Sequence, residues 1–406
     1  MFERIACALR SPRTHGSLAL DQLGYCANIL RWYFFRFLRS VVQIRYFQTS
    51  MQNTRFCSKP FEHFEVKHDG NVYLCCSGWV PFPVGNLKRD TPEVVWNSRR
   101  AKAVRRSILD GSFAFCNRKR CPALKNQALA LQFEVEDPWM VDNIRKNRVQ
   151  LDRGPNLVNA GYDKSCNLKC PSCRTKHVML RGIHQAPALR IQKKLLDWPK
   201  FQTVTTMNIT GSGDPFASPI YRSFLQNFTP ALFPALRIAI HTNGLLFSRS
   251  MWDSMPAIHD RIERFAISID AATSETYRKL RNGDFDLILE RLGFISSLRH
   301  SGVIPHLRAC FCVQVDNFHE MRDFVRLCKK YRFDEVSFSR LADWGTFSFS
   351  EMRARAVHRA GHPLYEEFIQ LLQDLIFRDP VVKMGDLAEF IMKQAIRGGR
   401  EPNRVG

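Results

Sequence analysis

Three cysteines lie close together in the sequence Cys166-Asn-Leu-Lys-Cys170-Pro-Ser-Cys173. This spacing lets three thiolates reach three corners of one iron-sulfur cube, and a fourth protein ligand is missing nearby. Structural zinc sites use four protein ligands, usually in CxxC pairs, so half of a zinc site completed elsewhere is the alternative that the spacing fits less well. An iron without a protein ligand can bind a small molecule instead.

Polar residues follow the later apolar runs of the chain. The runs at 204–209, 236–240 and 265–270 end in Gly211-Ser-Gly-Asp-Pro215, in Thr242-Asn243-Gly244, and in the pair Ser268 and Asp270; Gln314 and Asn317 follow at the end of a fourth run. Ser268 and Asp270 share strand parity, so both face the same side. Each motif alone is also ordinary turn chemistry at a strand end. Their order and spacing together favour a shared site.

The cysteine stretch with Arg174 after it resembles the CxxxCxxC signature of the radical S-adenosylmethionine (SAM) superfamily, and the later motifs keep that family's order. The resemblance implies that Cys166, Cys170 and Cys173 hold a 4Fe-4S cluster, that SAM binds the fourth iron, and that SAM cleavage gives a 5′-deoxyadenosyl radical that abstracts hydrogen. It also implies cofactor contacts, with Asp214 in place of the usual Glu, from Gly211, Gly213, Asp214, Pro215, Asn243, Ser268, Asp270, Gln314 and Asn317.

The elements that must position these residues follow from alternation. Apolar runs near 157–163, 204–210, 236–241, 264–270, 306–315 and 334–340 alternate with helix-like stretches, which predicts parallel βαβ units. The fold class is therefore α/β, a partial (β/α)6 barrel over residues 150–345 that resembles part of a TIM barrel. The polar motifs all fall at strand C-termini, where parallel sheets bind ligands.

A second set of cysteines lies upstream, over residues 53–128. Cys57, Cys75, Cys116 and Cys121, with Gly85-Asn86 and Trp96, resemble the opening of the SPASM/twitch module, which implies one auxiliary 4Fe-4S cluster. Cys75 and Cys76 are adjacent and point to opposite faces of a strand, so only one is a ligand, and spacing does not separate them. A four-cysteine zinc site remains the alternative.

The net charge of +22, from 60 basic and 38 acidic residues, indicates an anionic partner. Basic runs at 99–106, 118–120 and 145–148 suit an acidic peptide, a phosphorylated sugar or lipid, or RNA, although charge runs are often solvated helix faces. Residues 1–52 are basic and aromatic, too interrupted by arginine to span a membrane, and suit an interfacial helix on anionic lipid or a packing arm. Residues 346–406 are predicted as C-terminal helices, including one at 364–377, and a tail.

Two further cysteines, Cys310 and Cys312, share parity with Gln314 on the fifth predicted strand. A thiol beside a substrate radical donates hydrogen, so Cys312 is a candidate hydrogen donor, with core packing as the alternative.

These observations predict a cytoplasmic radical SAM enzyme, membrane-associated if residues 1–52 bind lipid. Flavodoxin or ferredoxin is the expected electron donor, and the expected substrate is a peptide, a protein, a sugar or an aminocyclitol. The first alternative is an RNA-modifying radical enzyme that uses the basic surface. The second is a metal-stabilised binding protein without catalysis.

Overall fold

The computed structural model describes residues 54–209 and 212–391. The predicted interfacial segment at 1–52, the C-terminal tail and Gly211 lie outside these residues. The chain divides into two compact units: the first contains the described residues up to Glu65 and Asn71–Pro155, and the second contains Val66–Gly70 and the described residues from Asn156 onward. No helix of the described ranges is long and apolar enough to cross a bilayer.

The cysteine-rich segment is built from short elements. Its strands are β1 (His63–Lys67), β2 (Asn71–Tyr73) and β3 (Gly85–Asn86), and its helices, together with the one that follows the segment, are α1 (Lys59–Glu62), α2 (Pro92–Trp96), α3 (Arg99–Leu109), α4 (Pro122–Lys125) and α5 (Pro138–Arg145). β2 and β3 pair antiparallel. Gly70, at φ 83°, lies in the turn between β1 and β2, in a backbone conformation that glycine adopts without a steric penalty.

A buried arginine organises the first unit. Arg105 of α3 is fully buried, its Nε and Nη1 donate to the carbonyls of Pro60 and Val149 at 3.0 Å each, and its guanidinium lies 4.3 Å from the centre of the Trp96 ring. Burial lowers the pKa of Arg105 to about 9. The opposite face of α3 is basic and exposed at Arg99 and Arg100.

The second unit alternates strands and helices. Its strands are β4 (Leu157–Gly161), β5 (Thr206–Ile209), β6 (Arg237–Thr242), β7 (Ile262–Ser268), β8 (Leu307–Val313), β9 (Glu335–Arg340) and β10 (Val382–Lys383). Its helices are α6 (Ala186–Leu196), α7 (Pro219–Gln226), α8 (Arg249–Asp253), α9 (Ser274–Arg281), α10 (Phe285–His300), α11 (Met321–Lys330), α12 (Phe349–Arg355) and α13 (Tyr365–Leu371).

Strands β4 to β10 lie side by side in chain order and all pair parallel. The α/β class with a parallel sheet is confirmed, and the six predicted strands of the partial barrel are β4 to β9. The short β10 was not predicted because its two residues carry no periodic signal. Parallel pairing places the carboxyl ends of all these strands at one edge of the sheet.

The two faces of this sheet differ. Ile238, Ile240, Phe265, Ile267 and Phe311 lie on the core face and are 1% exposed or less. The other face carries mostly half-buried polar side chains and is called the polar face below.

The predicted helix over 364–377 is wrong in its length. The structure ends α13 at Leu371 and forms a separate 3-10 turn, Leu375–Arg378. The Asp374 side chain accepts from the Ile376 N–H, which starts the new turn and ends the helical pattern.

Candidate metal centre and cofactor site

The cysteine loop follows β4 directly. Cys166 and Cys170 are 8% and 6% exposed, whereas Cys173 is exposed. The Cys166 N–H donates to the Val178 carbonyl at 2.8 Å, and the Cys173 N–H donates to the Cys170 carbonyl at 2.9 Å. Burial raises the pKa of the Cys166 thiol to about 11, and Asp214 adds to this. The free thiol therefore stays protonated at neutral pH, and only a bound metal would favour the thiolate.

Arg174 connects this loop to the loop after β5. Its Nη1 donates to the Lys164 carbonyl and its Nη2 donates to the Ser212 carbonyl, both at 2.9 Å. The same Nη2 lies 3.5 Å from Cys173 Sγ. One guanidinium thus holds the two loops together and places a positive charge beside a predicted cluster ligand.

Gly213 allows the two backbones to come into contact. A Cβ at this position would lie 2.3 Å from the Ser165 carbonyl oxygen and 3.0 Å from that of Asp163. The next residue, Asp214, donates its N–H to the Ser165 carbonyl at 2.8 Å. A side chain at 213 would therefore separate the glycine-rich loop from the residues that precede Cys166.

The Asp214 carboxylate is 2% exposed and accepts four hydrogen bonds. Oδ1 accepts from the N–H groups of Phe216 and Ala217, and Oδ2 accepts from Thr242 Oγ1 at 2.7 Å and from the Asn243 N–H at 2.8 Å. A carboxylate has about four acceptor positions, so these bonds use them all. Asp214 thereby joins the loops after β5 and β6, and its predicted contact with the cofactor stays a prediction.

Asn243 lies between that junction and the cysteine loop. Its Nδ2 donates to Asn167 Oδ1 at 2.8 Å and lies 3.8 Å from Cys166 Sγ. Pro215, which follows Asp214, contributes no donor, and Gly211 is not among the described residues.

Asp270 has a left-handed backbone, with φ 64°, at the end of β7. One carboxylate oxygen accepts from the Cys312 N–H at 2.7 Å, and the other pairs with Arg281 Nη1 at 3.1 Å. Asn317 fixes this turn, since its Nδ2 donates to the Asp270 and Cys312 carbonyls and its Oδ1 accepts from the Gln314 N–H. The side chain of Asn317 is thereby used within the protein.

Arg281 was not predicted, and it is the buried cation of this site. Burial opposes its charge, but Cys170, Asp270 and Tyr277 outweigh that effect and raise its pKa well above the usual range. Burial raises the pKa of Asp270, although Arg281 acts against this. The signal in the sequence was the pair Tyr277 and Arg281, four residues apart and hence on one face of α9.

The site also contains buried polar atoms without a partner in the described part of the chain. They are Gln314 Oε1, Arg281 Nε and Tyr277 Oη. Buried polar atoms are nearly always hydrogen-bonded, so an acceptor, a cationic donor and a hydroxyl in this state fit a polar ligand. Together with three thiols from one loop and the nearby N–H donors, they fit a cluster that carries a polar cofactor.

Asp163, which was not predicted either, fixes the start of the cysteine loop. Asp163 is fully buried, accepts from the Ser165 N–H at 2.7 Å, and accepts from Ser218 Oγ at 2.6 Å. Its own N–H donates to the Tyr221 hydroxyl at 3.0 Å. Single-sequence reasoning gave no reason to separate this aspartate from an ordinary turn residue.

The polar face begins just below the site. Ser268 Oγ lies 2.7 Å from His241 Nε2, and Cys310 is paired in register with Ser268 across β7 and β8. Cys312 lies against the apolar cluster of Leu341, Met352 and Ala356. Its role as a hydrogen donor stays a prediction.

The four upstream cysteines are drawn together in the first unit. Burial raises the pKa of the Cys75 thiol, and Cys57 and Cys116 add to the effect; burial and Cys57 act in the same way on Cys116. Burial and Cys121 likewise raise the pKa of the Cys57 thiol. Cys75 is buried whereas Cys76 is exposed, which favours Cys75 among the adjacent pair.

The turn between Cys116 and Cys121 is held by Asn117. Its Oδ1 accepts from the N–H groups of Lys119 and Arg120 at 3.1 Å each, and its carbonyl accepts from the Cys121 N–H at 2.9 Å. Within the ranges described, no three His, Cys, Asp or Glu side chains converge as they would around a single metal ion. The thiol donor set with its mutual electrostatic effects fits an iron-sulfur cluster.

Comparison with family models finds SPASM, described as an iron-sulfur cluster-binding domain, at residues 57–122. This match confirms the predicted SPASM-like module. A search of curated proteins gave no match.

Solved structures with a similar fold include Streptococcus suis SuiB bound to the precursor peptide SuiA, with 14% identity and a TM-score of 0.41; the match covers 74% of this chain and 66% of that one. A second is anSMEcpe with bound AdoMet, with 14% identity over 60% of this chain and 62% of that one and a TM-score of 0.38. A third is the FeFe-hydrogenase maturase HydG from Carboxydothermus hydrogenoformans, with 14% identity over 58% and 56% and a TM-score of 0.37. The chain thus spans just under two thirds of the length of SuiB.

Proposed function

We propose that this protein is a radical SAM enzyme with one SAM-binding 4Fe-4S cluster, held by Cys166, Cys170 and Cys173, and one auxiliary cluster. The observation that carries the proposal is the docking of the CxxxCxxC loop on the loop after β5 through Gly213 and Arg174. Through that contact, the loop that carries the three cysteines packs against the loop at the carboxyl end of β5.

When bound, the cluster supplies the electron that splits SAM into methionine and a 5′-deoxyadenosyl radical, which abstracts a hydrogen atom from the substrate. The chain's own residues then bind and orient. Gln314, Tyr277 and Arg281 provide an acceptor, a hydroxyl and a cation beside the cysteine loop. Asp214 and Asn317 keep the loops in register through the bonds described above, so their contribution to cofactor binding is the position of the backbone around it.

Cys57, Cys75, Cys116 and Cys121 would hold the auxiliary 4Fe-4S cluster in the SPASM segment. Four protein thiols close that site, so it has no free position for SAM. Flavodoxin or ferredoxin would supply the electron in the cytoplasm. An interfacial helix at residues 1–52 and contact with an anionic membrane surface remain proposals about residues that the structure does not describe.

The substrate of the proposed reaction is a peptide or protein, or a sugar or aminocyclitol, and the similar structures include one bound to its precursor peptide. The RNA-modifying alternative rests on the basic runs of the first unit, of which Arg99 and Arg100 are exposed. It predicts RNA binding that weakens steeply with salt. The non-catalytic alternative predicts that bound clusters do not respond to SAM.

The proposal is tested by anaerobic reconstitution with iron and sulfide, followed by electron paramagnetic resonance of the reduced protein with and without SAM. We expect one of two reduced cluster signals to change on addition of SAM, and only that signal to vanish in the Cys166/Cys170/Cys173→Ala protein. A spectrum that SAM leaves unchanged would favour a metal-stabilised binding protein.

A further inference from the structure

The polar face of the sheet is lined mostly by small and hydrophilic residues. Among its members over the described strands are Leu157 and Asn159 on β4, Thr206 and Asn208 on β5, Ala239 and His241 on β6, Arg264, Ala266 and Ser268 on β7, Arg308, Cys310 and Cys312 on β8, and Glu335, Ser337 and Ser339 on β9, together with Glu263, whose carboxylate accepts from Thr206 Oγ1. Leu157 is the one large aliphatic residue among these positions, and none of them is aromatic. A surface of this kind offers hydrogen bonds and charge but little apolar contact area.

Two alanines of the polar face, on β6 and β7, are paired with longer residues on the neighbouring strands. Ala239 pairs with Asn208 on one side and with Arg264 on the other, while Ala266 pairs with His241 and with Arg308. Neighbouring strands are about 4.8 Å apart, so the backbones of Asn208 and Arg264 are separated by about 10 Å. Ala239 and Ala266 are 0% and 5% exposed, which shows that the longer side chains close over them.

The charges on this face are not balanced locally. Arg308 Nε lies 3.0 Å from Glu335 Oε1, and its Nη2 donates to Ser337 Oγ at 2.7 Å. Arg264 is half-buried and has no hydrogen bond or ion pair with any residue of the described ranges. Burial, together with Arg308, Arg281 and Arg264, lowers the pKa of His241 to about 4, so all three cations lie within electrostatic reach of one neutral imidazole. Glu263, the other carboxylate of this face, accepts from Thr206 Oγ1 at 2.7 Å and forms no ion pair with Arg264.

We infer that the polar face binds an oxyanion, a phosphate or carboxylate carried by a hydroxyl-rich small substrate, through Arg264 with help from Asn208 and His241. This inference rests on the proposed function and chooses among its substrate classes. An anionic sugar matches the face, whereas an aminocyclitol would bring a cation to three arginines and an apolar peptide side chain would find little apolar surface. Arg264 lies four residues before Ser268, about 13 Å along β7, so the anion would lie deep and the rest of the sugar would extend toward the cysteine loop.

The test measures binding by calorimetry on the reconstituted protein, with glucose 6-phosphate and glucuronate as anionic probes and with glucose and 2-deoxystreptamine as neutral and cationic probes. We expect saturable binding of one or both anions and much weaker binding of the other two. Arg264→Gln should weaken the binding of the anionic probes by at least about tenfold, the usual effect of losing a hydrogen bond to a charged group. Arg190→Gln removes an exposed arginine of α6 and serves as the matched control, with unchanged affinity expected.

Arg264→Lys keeps the charge and covers the case in which Arg264→Gln fails to fold; it should retain binding within a few-fold. Equal binding of all four probes, loss of binding in Arg190→Gln, or anion binding that survives Arg264→Gln would overturn the inference. Comparison of glucose 6-phosphate with glucuronate shows whether the oxyanion is a phosphate or a carboxylate. Binding is measured without SAM cleavage, so the two proposals fail separately. Absence of anion binding in a protein that forms 5′-deoxyadenosine would remove the substrate assignment alone. Anion binding in a protein that forms no 5′-deoxyadenosine would remove the proposed reaction alone.

Discussion

The two cysteine sites are built in opposite ways. The triad occupies one loop, with Cys166, Cys170 and Cys173 held by backbone bonds among near neighbours. The SPASM segment gathers its cysteines from positions as far apart as Cys57 and Cys121, on loops between short strands and helices. The compact site leaves one metal position without a protein ligand, and the dispersed site supplies four thiols.

Their electrostatic surroundings differ as well. Arg174 and the buried Arg281 lie beside the triad, and thiolates formed there on metal binding would stabilise both charges. Burial has the largest effect on the pKa of Cys57, Cys75 and Cys116 and raises all three; neighbouring cysteines add to it, and Lys59, Arg118 and a backbone hydrogen bond from Cys76 act in the other direction. In the proposed function, this difference corresponds to a triad site that takes an additional anionic or polar ligand and a SPASM site that only holds its cluster.

The largest expected effect comes from removing each set of cysteines. The Cys166/Cys170/Cys173→Ala protein should retain about four of about eight irons per chain after reconstitution, those of the SPASM cluster. The Cys57/Cys75/Cys116/Cys121→Ala protein should lose these four and retain the four of the triad cluster. Iron and sulfide analysis measures this. Cys76→Ala is the control and should keep the full content; loss of iron there would exchange the ligand assigned to Cys75.

Arg281→Gln should destabilise the second unit strongly, because it leaves the Asp270 carboxylate buried without its ion pair. Loss of one partner of a buried pair costs about 3–5 kcal/mol in free energy of unfolding. Chemical denaturation measures it. Arg278→Gln, an exposed position on the same helix, should change stability little, and a similar loss in both variants would contradict the distinction.

Gly213→Ala should separate the two loops because the new Cβ meets the Ser165 carbonyl oxygen. We expect a loss of about 1–3 kcal/mol, the typical range for overpacking, and poor loading of the triad cluster with normal loading of the SPASM cluster. Gly293→Ala is the matched control, since nothing lies within 4 Å of a Cβ there and alanine favours the helix. Equal iron loading of the two variants would contradict the role given to Gly213.

The smallest effect is a pH dependence from His241. Its pKa is about 4 in the folded protein, below the usual 6.5, so the unfolded chain binds the proton more readily between these values. Stability therefore falls as pH decreases from about 6.5 to about 4, with a slope of at most about 1.4 kcal/mol per pH unit from this group. His241→Gln should flatten that part of the curve. His358 has a similarly lowered pKa and is left in place, so the difference between the two curves isolates His241.

Much of this molecule was predictable from local patterns. The parallel strands, their order and the shared edge of the polar motifs followed from alternation, and the SPASM segment followed from its cysteines, Gly85-Asn86 and Trp96. What the sequence does not show is how a side chain is used once it is buried. Asp214 and Asn317 looked like ligand contacts, but their hydrogen-bonding capacity is taken up within the protein.

Arg281 and Arg264 are residues whose importance the sequence did not reveal. Arg281 belongs to a helix with several basic residues, and its burial against Asp270 depends on long-range packing. Arg264 shares strand parity with Ser268, so its face was predictable, but its lack of an ion pair depends on the side chains that the neighbouring strands place beside it. The register shift between β6 and β7 makes Glu263 the extra residue, and a bulge of this kind cannot be located from a single run of apolar residues.

The central claim is that the triad site binds SAM in a reactive complex and the SPASM site does not. The most direct measurement is the formation of 5′-deoxyadenosine by the anaerobically reconstituted protein with SAM and dithionite. We predict that the wild-type protein forms it and that the Cys166/Cys170/Cys173→Ala protein, with its SPASM cluster intact, does not. Product from that variant, or none from wild-type protein with both clusters loaded, would contradict the account.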